Sequence, residues 1–369
     1  MNKKGIILTV SPMGKLIALI LATGLLGACA DELEKDVDRQ RTAISFDVST
    51  RQGAWQAAGS VRTKATDRLS EDKEMNAVAM QGKVDGKQMF LHAVTTDTIS
   101  PGALGNKQGG QKTMTRATPI QKEQFHEAFG AFAYVWTANT EKERISSYMD
   151  NVKVNVSGST GTPAEPLFWP GKAYNLRMYG YAPYVTEADG NGITIQANES
   201  GIATIAYDVP YKSAEQPDLL VAKSGDLAGN LNTAVSLRFS HALTAVQVKT
   251  EGDCPEGTIT SVRLKNVCTK GTYSFESETW NLDESPNSEN NNFEVRFEPG
   301  KTVEGATDVV TGENTFMMLP QDLDGVQLEV VFVSGGSEQT LVADLQGEWA
   351  VGQMKVYSLS LSGNAEKGE

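Results

Sequence analysis

The sequence predicts an all-β protein made of two tandem β-sandwich domains. From residue 131 onward, short β-prone runs follow one another, separated by Gly, Asn, Asp and Pro, which is the spacing of antiparallel sandwiches. No helical patterns of about 10 to 15 residues alternate with these runs, so a parallel α/β sheet is disfavoured. The chain has 369 residues, enough for two ordinary cores. Gly225, Gly229, Asn230 and Asn232 separate two apolar runs, Pro217 to Ala222 and Val235 to Lys249, and mark a junction. The expected domains are therefore residues 43–230 and 231–369.

The first 29 residues read as a targeting segment. Lys3 and Lys4 open it, and an apolar core of eleven residues runs from Leu16 to Leu26. That core is too short for a membrane-spanning helix, which takes about 20 residues. The segment ends Leu26-Gly27-Ala28-Cys29, which resembles the lipobox of bacterial lipoproteins and makes Cys29 the expected lipidated residue; a plain secretory signal followed by a chance cysteine reads the same way. Residues 30–42 form an acidic linker carrying Asp31, Glu32, Glu34 and Asp36. The whole chain has a net charge of −13. So acidic a surface lacks the clustered Lys and Arg that nucleic acid requires.

In Ala43 to Thr50, Ile44, Phe46 and Val48 alternate with polar residues, which predicts a first strand buried on one face. Gln88 to Thr95 is a second alternating run, and the glycine-rich stretch 100–116 reads as a long exposed loop. Residues 119–129 are the best helix candidate: Pro119 suits an early helical position, Phe125 and Phe129 are four apart, and Gly130 follows. Further strands are expected at 131–136, 152–156, 174–181, 193–196, 202–207, 235–239, 242–249, 258–267, 272–275, 293–297, 315–319, 326–333, 339–345 and 354–361. Cys254 and Cys268 flank the 258–267 strand. An extended strand of that length holds its ends about 30 Å apart, well beyond disulfide reach, so two unbridged thiols are expected.

Enzyme signals are sparse. His92, His126 and His241 lie in different elements with no ligand spacing, so no metal site is expected, and His241 reads as structural. There is no phosphate-binding glycine loop and no nucleophile elbow, and the reading assigns no catalytic residue and no cofactor. Trp169 and Tyr174, followed by further tyrosines, are the candidate ligand-stacking aromatics, although such residues more often fill a sandwich core.

The run Arg238-Phe-Ser-His-Ala-Leu-Thr-Ala-Val246 resembles a signature of the fimbrillin family, the type V pilus subunits of Bacteroidota. Phe129-Gly-Ala-Phe-Ala-Tyr134, Phe168-Trp-Pro-Gly171, Met178-Tyr-Gly-Tyr-Ala-Pro183, Asp218-Leu-Leu-Val-Ala222 and Met318-Leu-Pro-Gln321 extend the resemblance in order along the chain. It implies two sandwiches of transthyretin-like topology on a cell-surface lipoprotein or fimbrium, anchored by lipid in the outer membrane before processing. It also implies assembly with other pilus subunits by strand exchange, and adhesion to a host or bacterial surface ligand. A protease of such pili cuts after an arginine near the first strand. The candidates here are Arg51, Arg62 and Arg116, and the displaced strand would carry Ile44, Phe46 and Val48. Either Met354 to Leu361 is itself the donor strand, or the chain is a tip or accessory subunit that receives a strand and gives none, or it is an uncut lipidated anchor. The reading from another class is a monomeric, lipid-anchored glycan- or peptide-binding protein.

Overall fold

A computed structural model describes residues 42–50, 73–74, 77–96, 125–138, 146–186, 191–197, 201–283 and 291–363. These residues form strands and two short 3-10 turns. β1 (Phe46–Thr50), β2 (Lys73–Glu74), β3 (Val78–Val84) and β4 (Lys87–Thr96) precede β5 (Ala128–Thr137), β6 (Ser146–Ser157), β7 (Thr160–Pro163) and β8 (Tyr174–Ala182). They are followed by β9 (Ile193–Ala197), β10 (Ala203–Asp208), β11 (Leu220–Lys223), β12 (Leu227–Ala228), β13 (Val235–His241) and β14 (Thr244–Thr250). β15 (Gly257–Lys265), β16 (Lys270–Ser274), β17 (Thr279–Leu282), β18 (Phe293–Val303), β19 (Thr307–Val310) and β20 (Phe316–Met318) come next. The last are β21 (Gln321–Asp322), β22 (Gln327–Ser334), β23 (Ser337–Asp344), β24 (Glu348–Trp349) and β25 (Met354–Ser360).

Most of these strands follow from alternation. In β13, Val235, Leu237 and Phe239 point inward while Ser236 and Arg238 face solvent, so one face of the strand is a row of apolar anchors. β25 is buried at all seven positions, as a strand enclosed on both faces must be. Between β3 and β4, Asp85 and Gly86 both have positive φ, 50° and 74°, which is the conformation of a two-residue primed hairpin turn.

An eight-stranded sheet runs β11-β13-β1-β7-β6-β5-β8-β12, and a second sheet of eleven strands contains β18-β15-β22-β23-β3-β4-β25-β14-β19. A four-stranded sheet, β17-β16-β10-β9, and the pair β21-β24 complete the set among the described residues. Strands from both sides of residue 230 share three of these sheets. β13 pairs with β1, β3 and β4 join β23 and β25, and β10 pairs with β16. The boundary expected between residues 230 and 231 is thus crossed by backbone pairing. One buried cluster spans both sides of it, from Phe132 and Tyr207 to Phe332 and Trp349, while a smaller cluster gathers around β1.

The helix expected over 119–129 does not form across its described part. Phe125 to Glu127 are not helical, and Phe129 lies in β5; residues 119–124 fall outside the described residues. The four-residue spacing of Phe125 and Phe129 reflects a shared tertiary partner instead. Their rings meet the ring of Phe239 edge-on, at 4.8 Å and 5.2 Å. Gly130, read as a stop, lies inside β5 at a point where only a glycine fits, since a Cβ there would lie 2.1 Å from the Tyr181 ring. Cys254 and Cys268 are both buried and form no disulfide, with β15 between them as expected.

Candidate functional site

The first strand is held on both edges. On one side β1 runs parallel to β13, with Phe46 opposite Val235 and Thr50 opposite Phe239. On the other it runs antiparallel to the short β7, with Phe46 opposite Gly161. Backbone bonds extend this grip: Ile44 N–H donates to Leu167 O at 2.7 Å, Val48 N–H to Ser159 O at 2.7 Å, and Val235 N–H to Ser45 O at 2.8 Å. A further bridge joins Ala43 to Phe168. Without β1, facing N–H and C=O groups of β13 and β7 would lose their partners, which is the condition that attracts another strand.

The side chains complete the slot. Ile44, Phe46 and Val48 are 1%, 1% and 5% exposed, and they sit in a cluster with Phe129, Met149, Leu176, Leu220, Leu237 and Phe239. The rings of Phe46 and Phe129 meet edge-on at 5.3 Å. Gly161 lets β7 approach closely, since a Cβ there would lie 3.0 Å from that of Phe46. Each of the three inward residues contributes about 1.5–3 kcal/mol of apolar burial, as an upper bound. Asp47 and Ser49 point outward and are exposed, so the slot reads only alternate residues of its occupant.

The histidines hold framework. His241 Nδ1 donates to Asp218 Oδ1 at 2.8 Å, with the side chains 4% and 0% exposed, and so ties β13 to the segment leading into β11. His126 Nε2 donates to the backbone oxygen of Asp218 at 3.0 Å, and His92 Nε2 to that of Ser362 at 2.9 Å. Among the described residues, no group of three or more His, Cys, Asp and Glu side chains is arranged to hold a metal ion.

Of the other expected site residues, Trp169 is 5% exposed and belongs to the core around β1, while Tyr174 is half-buried. A ring buried in that way presents no open face for stacking. Cys29, Arg51, Arg62 and Arg116 lie outside the described residues. Of the walls of the slot, Leu237 and Phe239 were legible as strand residues, whereas Phe129 was read into a helix and Gly161 into no strand, and none was legible as a neighbour of the first strand. Parallel pairing over nearly two hundred residues leaves no local signal.

The model of a family described as fimbrillin-like matches residues 115–369, so β1 to β4 lie outside the matched part. Among solved structures, a fimbrial protein from Bacteroides vulgatus is 19% identical, with 63% of this chain and 87% of that chain covered and a TM-score of 0.46. A proposed cell adhesion protein from Bacteroides uniformis is 16% identical, with 64% and 87% covered and a TM-score of 0.44. Another from Bacteroides ovatus is 18% identical, with 63% and 81% covered and a TM-score of 0.43. No curated protein matches the chain.

Proposed function

The chain belongs to the fimbrillin-like family, and from that premise we propose that it is a fimbrial or adhesion subunit that assembles by accepting a strand in place of β1. The supporting observation is the slot. β1 lies between β13 and β7, buries Ile44, Phe46 and Val48, and belongs to the amino-terminal part of the chain ahead of every strand it touches. Cutting the chain after it turns an internal strand into a peptide held only by pairing and burial. A segment of another subunit with alternating apolar residues then fills the same register, parallel to β13.

In this reading Cys29 carries the lipid that tethers the precursor to the outer membrane, and Arg51 or Arg62 receives the cut, since a cut at Arg116 would leave β1 joined to the β3–β4 hairpin. β25 is engaged on both edges, by β14 and β4, which favours the role of a strand acceptor at a tip or accessory position over that of a donor through residues 354–361. Adhesion to a host or bacterial surface ligand would be carried by the exposed surface of the assembled subunit.

The test is the amino-terminal sequence and mass of the protein on intact cells. A start after Arg51 or Arg62, together with higher-order species resistant to mild detergent, is the expected result. A surface form that starts at an acylated Cys29 and stays monomeric would overturn strand exchange and leave a tethered binding protein.

A further inference from the structure

A second inserted element lies in a different sheet from β1. The β3–β4 hairpin occupies the gap between β23 and β25 in the eleven-stranded sheet, more than two hundred residues from those strands in sequence. It is a unit in itself, closed by the Asp85-Gly86 turn and by the Gln88 side chain, which donates to the backbone oxygen of Met80 at 2.6 Å. Its two edges are held unequally. β4 pairs with β25 at seven positions, from Phe90 opposite Ser360 to Thr96 opposite Met354. β3 meets β23 at the single pair Gln81–Val342, where Gly82 is required because a Cβ would lie 2.4 Å from Thr340 O. A small hollow lined by Val78, Leu91, Ala93, Leu345 and Tyr357 lies along the same seam.

We infer that this gap is a strand-acceptor site distinct from the β1 slot, and that its alternative occupant is the same hairpin from a second copy of the chain. The contacts select this hairpin. Buried Lys355 donates from Nζ to Thr95 Oγ1 at 2.7 Å, and buried His92 donates to Ser362 O at 2.9 Å. A generic strand would offer neither the Thr95 hydroxyl to Lys355 nor the His92 ring to Ser362 O. β25 is buried at all seven positions, so an empty gap would present an unpaired, largely apolar edge. Residues 51–72 lead from β1 to β2, which pairs with β4, and residues 97–124 lead from the hairpin to Phe125, each spanning at most about 3.3 Å per residue. Those lengths let the hairpin reach a neighbouring molecule while β1 and β5 stay in place. Exchange of one element between identical chains reproduces every native contact, so its cost is chiefly the lost intramolecular advantage, an effective concentration in the millimolar range. Crowding on a cell surface favours the exchanged form.

The test uses the register pair Val94–Val356. Residues directly opposite in an antiparallel ladder have Cα atoms about 4.5–5.5 Å apart, within disulfide range. Two differently tagged full-length chains carrying Cys29→Ser, one with Val94→Cys and the other with Val356→Cys, are co-expressed and oxidised. A disulfide-linked heterodimer whose yield rises with concentration is the expected result. No heterodimer at any concentration, while a single chain carrying both cysteines closes on itself, would overturn the inference. If the variants do not fold, native mass measurement of the chain carrying only Cys29→Ser replaces them. A concentration-dependent dimer with β4 amides fully protected from exchange supports the inference, and a strict monomer at about millimolar concentration overturns it. The disulfide joins β4 to β25, so exchange at the β1 slot neither produces nor prevents it.

Discussion

At the scale of single residues, Phe46 is the anchor of the first strand. Its ring is 1% exposed and packs edge-on against Phe129, with Gly161 at its back. Phe46→Ala is expected to cost about 3–5 kcal/mol, the range for truncating a buried aromatic, read as a lower denaturant midpoint in the uncut chain. Asp47→Ala, on the exposed face of the same strand, should move that midpoint little. Cys254 makes a separate prediction. Burial, with Asp253 adding to it, pushes its thiol up to about 12. The unfolded chain would release that proton near the ordinary value of about 8.5, whereas the folded chain keeps it. The resulting stability is fully present below about pH 8.5 and is lost as pH rises towards 12. Burial also raises the Tyr207 and Tyr357 phenols, which adds to the alkaline decline. Cys254→Ala should therefore flatten the fall of the denaturant midpoint between about pH 9 and pH 11. The native thiol should also resist an aromatic disulfide reagent at about pH 8, because the reactive thiolate is scarcely populated there.

At the scale of elements, alternation made most strands legible. Ile44-Phe46-Val48 and Val235-Leu237-Phe239 each announce one buried face, and both strands formed where expected. β3 was missed because Gly82 and Lys83 interrupt its apolar pattern, although Asp85-Gly86 ahead of the 88–95 run was a hairpin signal in plain view. β7 was missed as well: in Thr160-Gly-Thr-Pro163 the glycine and proline offset the β-propensity of the threonines, and the segment is a strand because β1 and β6 flank it. Partners were less legible than strands. A period of two tells which face is buried but not against what, so neither the parallel β1–β13 pair nor the position of the β3–β4 hairpin could be read. That position yields a prediction about processing. A cut within 51–72 leaves β1 attached to nothing but its own neighbours, whereas a cut within 97–124 leaves it joined to a hairpin seated in another sheet. With a site-specific protease sequence engineered into each segment in turn, a labelled peptide of residues 43–50 should enter the β1 slot after the first cut and not after the second. Equal uptake from both would show that the hairpin gives β1 no hold.

At the scale of the whole molecule, the pairing across residue 230 decides how the protein unfolds. Two sandwiches joined by a simple linker would each bury its own core and melt separately. Here three sheets draw strands from both sides of that point, the described residues from Ala43 onward form one compact unit, and one buried cluster reaches from Met80 to Leu359. Pulling β13 from the eight-stranded sheet removes the partner of β1. Pulling β3 and β4 from the eleven-stranded sheet opens one edge of β25. Loss of either half therefore strips backbone partners from the other, which couples their stabilities. A chain carrying Cys29→Ser should show one calorimetric transition with equal calorimetric and van't Hoff enthalpies, seen at the same midpoint by tryptophan fluorescence and far-ultraviolet dichroism. Two resolved transitions, with residues 43–230 melting apart from 231–369, would mean that the shared strands contribute little and that the turn at 225–232 is a true boundary. Cutting within 51–72 and removing β1 should lower the single midpoint without splitting it, because β13 loses one flank while the hairpin still bridges β23 and β25.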